Sequence, residues 1–227
     1  MVRPASPPTP PSWQRRLGER LVALLWVKAI GTPLAIGVFF VGYFWTLRNP
    51  QFAVYTMPLT ALDRWVPFVP EALAVYASLW VYVSLAPALL RDRRELLAIA
   101  SGAAVLAGVG LTIFFVWPTT VPMFEIDGSE HVALQFMKRV DLGGNACPSL
   151  HVAFAVFAGL WIDRVLRVVA APTGLRALGW VWGAAIALST VAVRQHVVLD
   201  VAAGVLLGAA VGVLNARVLA QTPLKGR

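Results

Sequence analysis

The tightest constraint on this chain is a succession of apolar stretches, each about as long as a bilayer is thick. A membrane-crossing helix needs about 20 mostly apolar residues. Six such stretches follow one another, at 21–47, 72–90, 96–117, about 148–168, 177–193 and about 197–219. Hydrophobic residues make up 59% of the 227 and charged residues only 13%, whereas a soluble domain has about 45–50% and 25%. That balance excludes an ordinary soluble domain, and it excludes an intrinsically disordered chain even more firmly. The expectation is an all-α, polytopic membrane protein: a six-transmembrane-helix bundle over residues 21–219, with tails at 1–20 and 220–227. No internal repeat is visible.

Prolines and charges punctuate the stretches. Five prolines in the first eleven residues oppose a helix there, since proline lacks the N–H and fixes φ. The first twenty residues therefore read as a disordered cytoplasmic tail. The apolar stretch that follows is longer than the roughly 7–15 residues of a signal peptide's apolar region, so it reads as a retained span. Pro67 and Pro70 precede the second stretch, Pro118 ends the third and Pro148 opens the fourth. The fourth is the least hydrophobic. Asp163, Arg164 and Arg167 in its last turns mark its exit from the membrane.

The net charge of +8 invites a nucleic-acid reading, but the basic residues flank spans instead of forming a soluble basic patch. No nucleic-acid partner is expected. Cytoplasmic segments of membrane proteins carry the excess of Lys and Arg. With both termini inside, thirteen basic residues fall on the inner side and five on the outer, and Lys28 stays within a span. The inner set includes Arg20, Arg94, Arg164 and Arg176. The outer set is Arg48, Arg64, Lys138, Arg139 and Arg194. A plasma (inner) membrane location with outward loops at 48–71 and 118–147 follows. The lone Cys147 has no thiol partner for a disulfide or a metal pair. Trp13, Trp45, Trp65 and Trp117 fall near span ends, as interfacial belt residues do. Gly102, Gly108 and Gly110, and then Gly204, Gly208 and Gly212, have the spacing of close helix packing, either inside the bundle or against a second protomer.

All three histidines, His131, His151 and His196, fall on the outer side. His196 and Asp200 are four apart, one turn on a helix face. A carboxylate there accepts one imidazole proton and leaves the other nitrogen free as nucleophile or base. Alone, the pair fits an interfacial helix end equally well. His151 lies in the string NACPSLHVAFA. Pro148 suits a first helical turn, and Ser149 with the free N–H groups of that turn suits a phosphate. A metal site from His131, His151 and His196 is conceivable on ligand type alone.

Taken together, Pro148-Ser149-Leu150-His151 and Ser189 with His196 and Asp200 resemble the second and third motifs of the type-2 phosphatidic acid phosphatase superfamily, Pro-Ser-x-His and Ser-Arg-x-x-x-x-x-His-x-x-x-Asp. The surrounding strings look most like its Pro-Ser-Leu-His branch, which includes inositol phosphorylceramide synthases. The first motif, Lys-x-x-x-x-x-x-Arg-Pro, has no counterpart. Met123 stands where relatives in this branch often carry Arg, and Thr190 replaces the third-motif Arg. The resemblance implies a catalytic set of His196 as nucleophile, Asp200 orienting it and His151 as proton donor. It further implies phosphate binding by Arg194, Ser149, Lys138 and Arg139, and chemistry without a metal or other cofactor. The implied partners are membrane lipids and a lipid phosphate or diphosphate substrate. The acceptor, water in a phosphatase or a lipid hydroxyl in a head-group transferase, stays open, as does a catalytically degenerate scaffold. His131 has no assigned role.

Overall fold

The computed structural model describes residues 12–122 and 144–221. His131, Lys138, Arg139 and Met123 lie outside the described residues, as do residues 1–11 and 222–227. In chain order the elements are α1 (Trp13–Val22), α2 (Leu25–Arg48), β1 (Tyr55–Thr56), α3 (Ala61–Trp65), α4 (Ala72–Ala77), α5 (Leu79–Ala88), α6 (Arg93–Val116), β2 (Thr119–Thr120), α7 (Leu150–Val168), α8 (Thr173–Ala192) and α9 (Val198–Gln221). Helices stand at each of the six apolar stretches. Four of them, α2, α6, α8 and α9, are individually long and apolar enough to cross a membrane. The second stretch is divided at Ser78, whose hydroxyl bonds back to the Val75 carbonyl at 2.6 Å.

The expectation of a tail through residue 20 is corrected. The proline cluster ends at Pro11, and Ser12 then caps α1 by accepting the Arg15 N–H, as N-cap serines do. The helix runs to Val22, and the left-handed backbone of Leu24 (φ 53°) separates it from α2. Buried Arg20 ties α1 to the bundle, with Nη1 at 3.1 Å from Glu95 Oε2. Lys28, the cation stranded in the first stretch, has a structural job. Its ammonium donates to the Arg20, Leu21, Ala88 and Leu90 carbonyls, at 2.8, 3.1, 2.8 and 3.3 Å. It thereby caps the ends of α1 and α5, where carbonyls lack intrahelical partners.

The centre of the fold is α7. It packs against α5, α6, α8 and α9 and buries residues on every side, Val152, Phe157, Trp161 and Leu166 among them. The glycine face of α9 makes the closest of these contacts. A Cβ on Gly204 would strike the Ser149 carbonyl, and one on Gly208 would strike the Ala153 backbone. This face therefore packs inside the bundle. Gly102 and Gly110 are equally enclosed, by Asn215 and Phe157 and by Leu150, whereas Gly108 faces open space. By contrast, α2 exposes Trp26, Ile30, Leu34, Val38 and Val41, a surface that only lipid tolerates.

The two ends of the bundle differ. One gathers basic residues: Arg94 bonds the Leu219 carbonyl, and Asp163 pairs with Arg167 and Arg176, both at 2.7 Å. The other end is framed by a short parallel pairing of β1 with β2, Tyr55 opposite Thr119 and Thr56 opposite Thr120. His151 and His196 lie at that second end.

Candidate active site

Three segments build the site. The first enters α7. Thr119, wholly buried, accepts the Cys147 N–H on its hydroxyl at 2.7 Å and the Ala146 N–H on its carbonyl at 3.0 Å. The Cys147–Pro148 peptide is cis. Ser149 is the N-cap of α7. Its hydroxyl accepts the Val152 N–H at 3.3 Å and its own N–H donates to the Asp200 carbonyl at 3.0 Å. Ser149 is itself fully buried, so its hydroxyl caps the helix, and the first-turn N–H groups of Leu150 and His151 are the donors left for an anion. His151 projects from this turn between Tyr76 and Trp80, with ring centroids 4.5 and 6.4 Å away.

The second segment is the turn from α8 to α9. The Thr190 carbonyl accepts both the Gln195 and the His196 N–H, at 3.0 and 3.1 Å. Arg194 sits in the left-handed region (φ 60°), a conformation that costs a non-glycine residue on the order of 1–3 kcal/mol. His196 then faces His151, with ring centroids 5.7 Å apart. Behind it, Asp200 is wholly buried, and its Oδ2 lies 3.5 Å from His196 Nδ1. That separation is too long for a good hydrogen bond. The same oxygen accepts the Val197 N–H at 3.0 Å, so Asp200 also caps its own helix.

The third segment carries no motif. Between β1 and α4, Thr60 and Asp63 form a capping box around α3. Asp63, only 2% exposed, accepts the Thr60 N–H and hydroxyl on Oδ2 at 2.7 and 2.6 Å. Its Oδ1 accepts the Val198 N–H at 2.8 Å. Burial alone would raise its pKa. The Thr60 and Val198 hydrogen bonds and the Arg194 charge outweigh that and hold the carboxyl below the ordinary value. Arg194 completes the junction by donating to the Asp63 and Val66 carbonyls at 2.9 and 2.7 Å. The guanidinium expected on phosphate is thus tied to the α3 segment, while the residue still lines the cavity described next. The Thr-x-x-Asp spacing of a capping box was the one signal in the sequence that marked Asp63.

Cys147, beside this junction, is kept protonated: burial, and then the Asp200 charge, push its thiol up to about 11. Among the described residues no three His, Cys, Asp or Glu side chains converge as metal ligands.

The imidazole pair closes one end of a cavity of about 1940 Å³. Its walls are apolar faces of α2, α5, α6 and α7, including Phe39, Leu111 and Phe154, and Lys28 lies at its far end. From Tyr43 to Lys28 the wall runs about 22 Å along α2, at 1.5 Å per residue.

The profile of the PAP2 superfamily, the type-2 phosphatidic acid phosphatases, matches residues 60–214. The chain belongs to that superfamily. The match covers all three segments of the site, Asp63 included. No curated protein and no solved structure matches the chain. PAP2 superfamily membership supports an enzyme that acts as a phosphatase or phosphotransferase on lipid phosphates, in keeping with the apolar, membrane-crossing helices.

Proposed function

We propose that this PAP2 protein is a six-span lipid phosphate phosphohydrolase working through a phosphohistidine, with its termini in the cytoplasm and its site at the outer face of the membrane. The observation that carries the reading is the placement of two imidazoles, 5.7 Å apart, at the end of a long apolar cavity, one of them backed by a buried carboxylate. A lipid chain fits the cavity, and its phosphate then lies between the rings.

Asp200 stands on the Nδ1 side of His196 and leaves Nε2 as the attacking atom. A P–N bond forms as the phosphorus–oxygen bond to the lipid breaks, and His151 gives its proton to the departing oxygen. His151 then takes a proton from water as the water oxygen attacks phosphorus and frees His196. Asp200 stabilises the positive charge on His196 throughout. The N–H groups opening α7 and the cavity side of Arg194 hold phosphate oxygens, assisted by Lys138 and Arg139 from the outer loop. Positioning and charge stabilisation supply the rate.

The test uses purified protein in detergent with a chelator, offered phosphatidate and undecaprenyl diphosphate. Free phosphate is the expected product, and His196→Ala, normally folded, should abolish it. Head-group exchange with a lipid alcohol, in place of phosphate release, would make the protein a transferase of the inositol phosphorylceramide synthase type. Neither product across a broad lipid panel, or full activity in His196→Ala, would refute the enzyme reading.

A further inference from the structure

We infer that Asp63 is a positioning residue for this reaction, resting on the phosphohistidine reading: it clamps the chain on both sides of His196 and fixes that histidine relative to His151. Its carbonyl receives the Arg194 guanidinium, two residues before His196, and its carboxylate receives the Val198 N–H, two residues after. A shift of the His196 segment along the bundle breaks one of the two. Asp200 does not perform this task. Its side chain bonds the Val197 N–H of the same turn and orients the imidazole only within its own helix. Asp63 brings an anchor from a loop 135 positions away in sequence.

That loop also governs the other histidine. Met57 N–H bonds the Thr120 carbonyl at 2.9 Å, and β1 pairs with β2. Thr119, in β2, holds Ala146 and Cys147 at the entrance to α7. The backbone that runs from β1 into α3 therefore links the entrance of the helix bearing His151, through the β1–β2 pair and Thr119, to the Asp63 contacts at the His196 turn. The backbone at Arg194 agrees with the clamp, because its left-handed conformation is held by the two bonds from its side chain to the loop. Electrostatics act in the same direction. Asp63 and Asp200 place two carboxylates at the N-terminal end of α9, where a negative charge is favoured. The Arg194 guanidinium lies beside Asp63.

The experiment compares full-length variants in detergent, using whichever lipid phosphate the wild type turns over. It records kcat, KM, the rate of phosphoenzyme formation by rapid quench, and thermal unfolding. Asp63→Ala, which removes the oxygen that accepts the Val198 N–H, should lower kcat and phosphoenzyme formation together by ~10–100-fold, the penalty for small misplacement of a reacting group. KM should stay within about threefold, since ground-state binding is untouched. Val198→Pro removes only the N–H that Asp63 accepts, at a first helical position where proline fits. It should reproduce the kcat loss, and the double variant should be no worse than the poorer single. Thr60→Ala weakens the α3 cap but leaves the clamp, so it should lower the unfolding temperature with kcat within about twofold. If Asp63→Ala fails to fold, Val198→Pro decides. Wild-type kcat in either folded variant, or a kcat loss in Thr60→Ala as large as in Asp63→Ala, overturns the inference. A wild type without turnover or phosphoenzyme on any lipid removes the reaction and, with it, this role.

Discussion

Replacing Gly204 with alanine adds one methyl group where α9 rests on α7, one turn below Asp200. A Cβ there meets the Ser149 carbonyl oxygen head-on, lies 3.3 Å from the Ser149 carbonyl carbon and 3.1 Å from Val152 Cβ. The first two belong to backbone that is already bonded, the Ser149 oxygen to the Ala153 N–H at 2.9 Å, so no rotamer change relieves them. Ordinary carbon contacts begin near ~3.5 Å, so the helices must separate by roughly 0.5–1 Å. Overpacking of this kind costs about 1–3 kcal/mol, and each kcal/mol lowers the unfolding temperature by about 2–4 °C in a chain of this size. Because His151 rides on α7 and Asp200 on α9, their separation widens too, and a misplacement near 1 Å costs ~100-fold in rate. The assay is metal-free phosphate release together with thermal unfolding in the same detergent. Gly108→Ala is the control, since nothing lies within 4 Å of its Cβ and alanine favours a helix by about 0.5–1 kcal/mol. Gly212→Ala should fall between, because it first meets the movable end of Leu160. Equal activity and stability in Gly204→Ala and Gly108→Ala would refute the reasoning.

Two further predictions concern titration. The Asp63 carboxyl is held below its ordinary value in the fold, so its stabilisation is complete above the unfolded value of ~3.9 and is lost as pH falls through the folded one. Wild-type unfolding temperature should drop on acidification below about pH 4 more steeply than that of Asp63→Asn; parallel curves would contradict this. Cys147 is buried with its thiol raised to about 11. Maleimide should label it slowly at neutral pH, where little thiolate exists, and fully after denaturation. Because the fold favours the protonated thiol, stability should also decline as pH rises from the unfolded value of ~8.5 towards 11. Rapid labelling of the folded protein would show that the thiol is neither buried nor raised.

Much of the architecture is legible in one dimension because lipid demands it locally. Backbone polar groups must be satisfied within each crossing segment, so apolar length alone locates the helices. The same locality explains why His196 and Asp200 could be paired from spacing, whereas His151 joined them only through the family resemblance. What escaped the sequence depends on partners far away. The helix at Trp13–Val22 depends on the Arg20–Glu95 pair, which joins segments 75 residues apart. Lys28 looked like an anomaly until the ends of α1 and α5 converged on it. Asp63 was not among the candidate residues, and Arg194 was expected on phosphate, since the carbonyls that hold it belong to a segment about 130 positions earlier.

The departure from the superfamily's third motif at Thr190 shows how little such a site tolerates restoration of one residue. Thr190 is wholly buried, its hydroxyl bonds the Ala187 carbonyl at 2.7 Å, and its own carbonyl holds the Gln195 and His196 N–H groups. It does not line the cavity, whereas Arg194 does. An arginine placed there would bury a charge among packed helices, which costs about 3 kcal/mol or more without a partner, and would disturb the turn that presents His196. Thr190→Arg should therefore lower both the unfolding temperature and phosphate release, even though it rebuilds the motif. A folded Thr190→Arg protein with faster turnover than wild type would mean that the turn can open to present a guanidinium to phosphate, and that the packing around Thr190 does not set the limit.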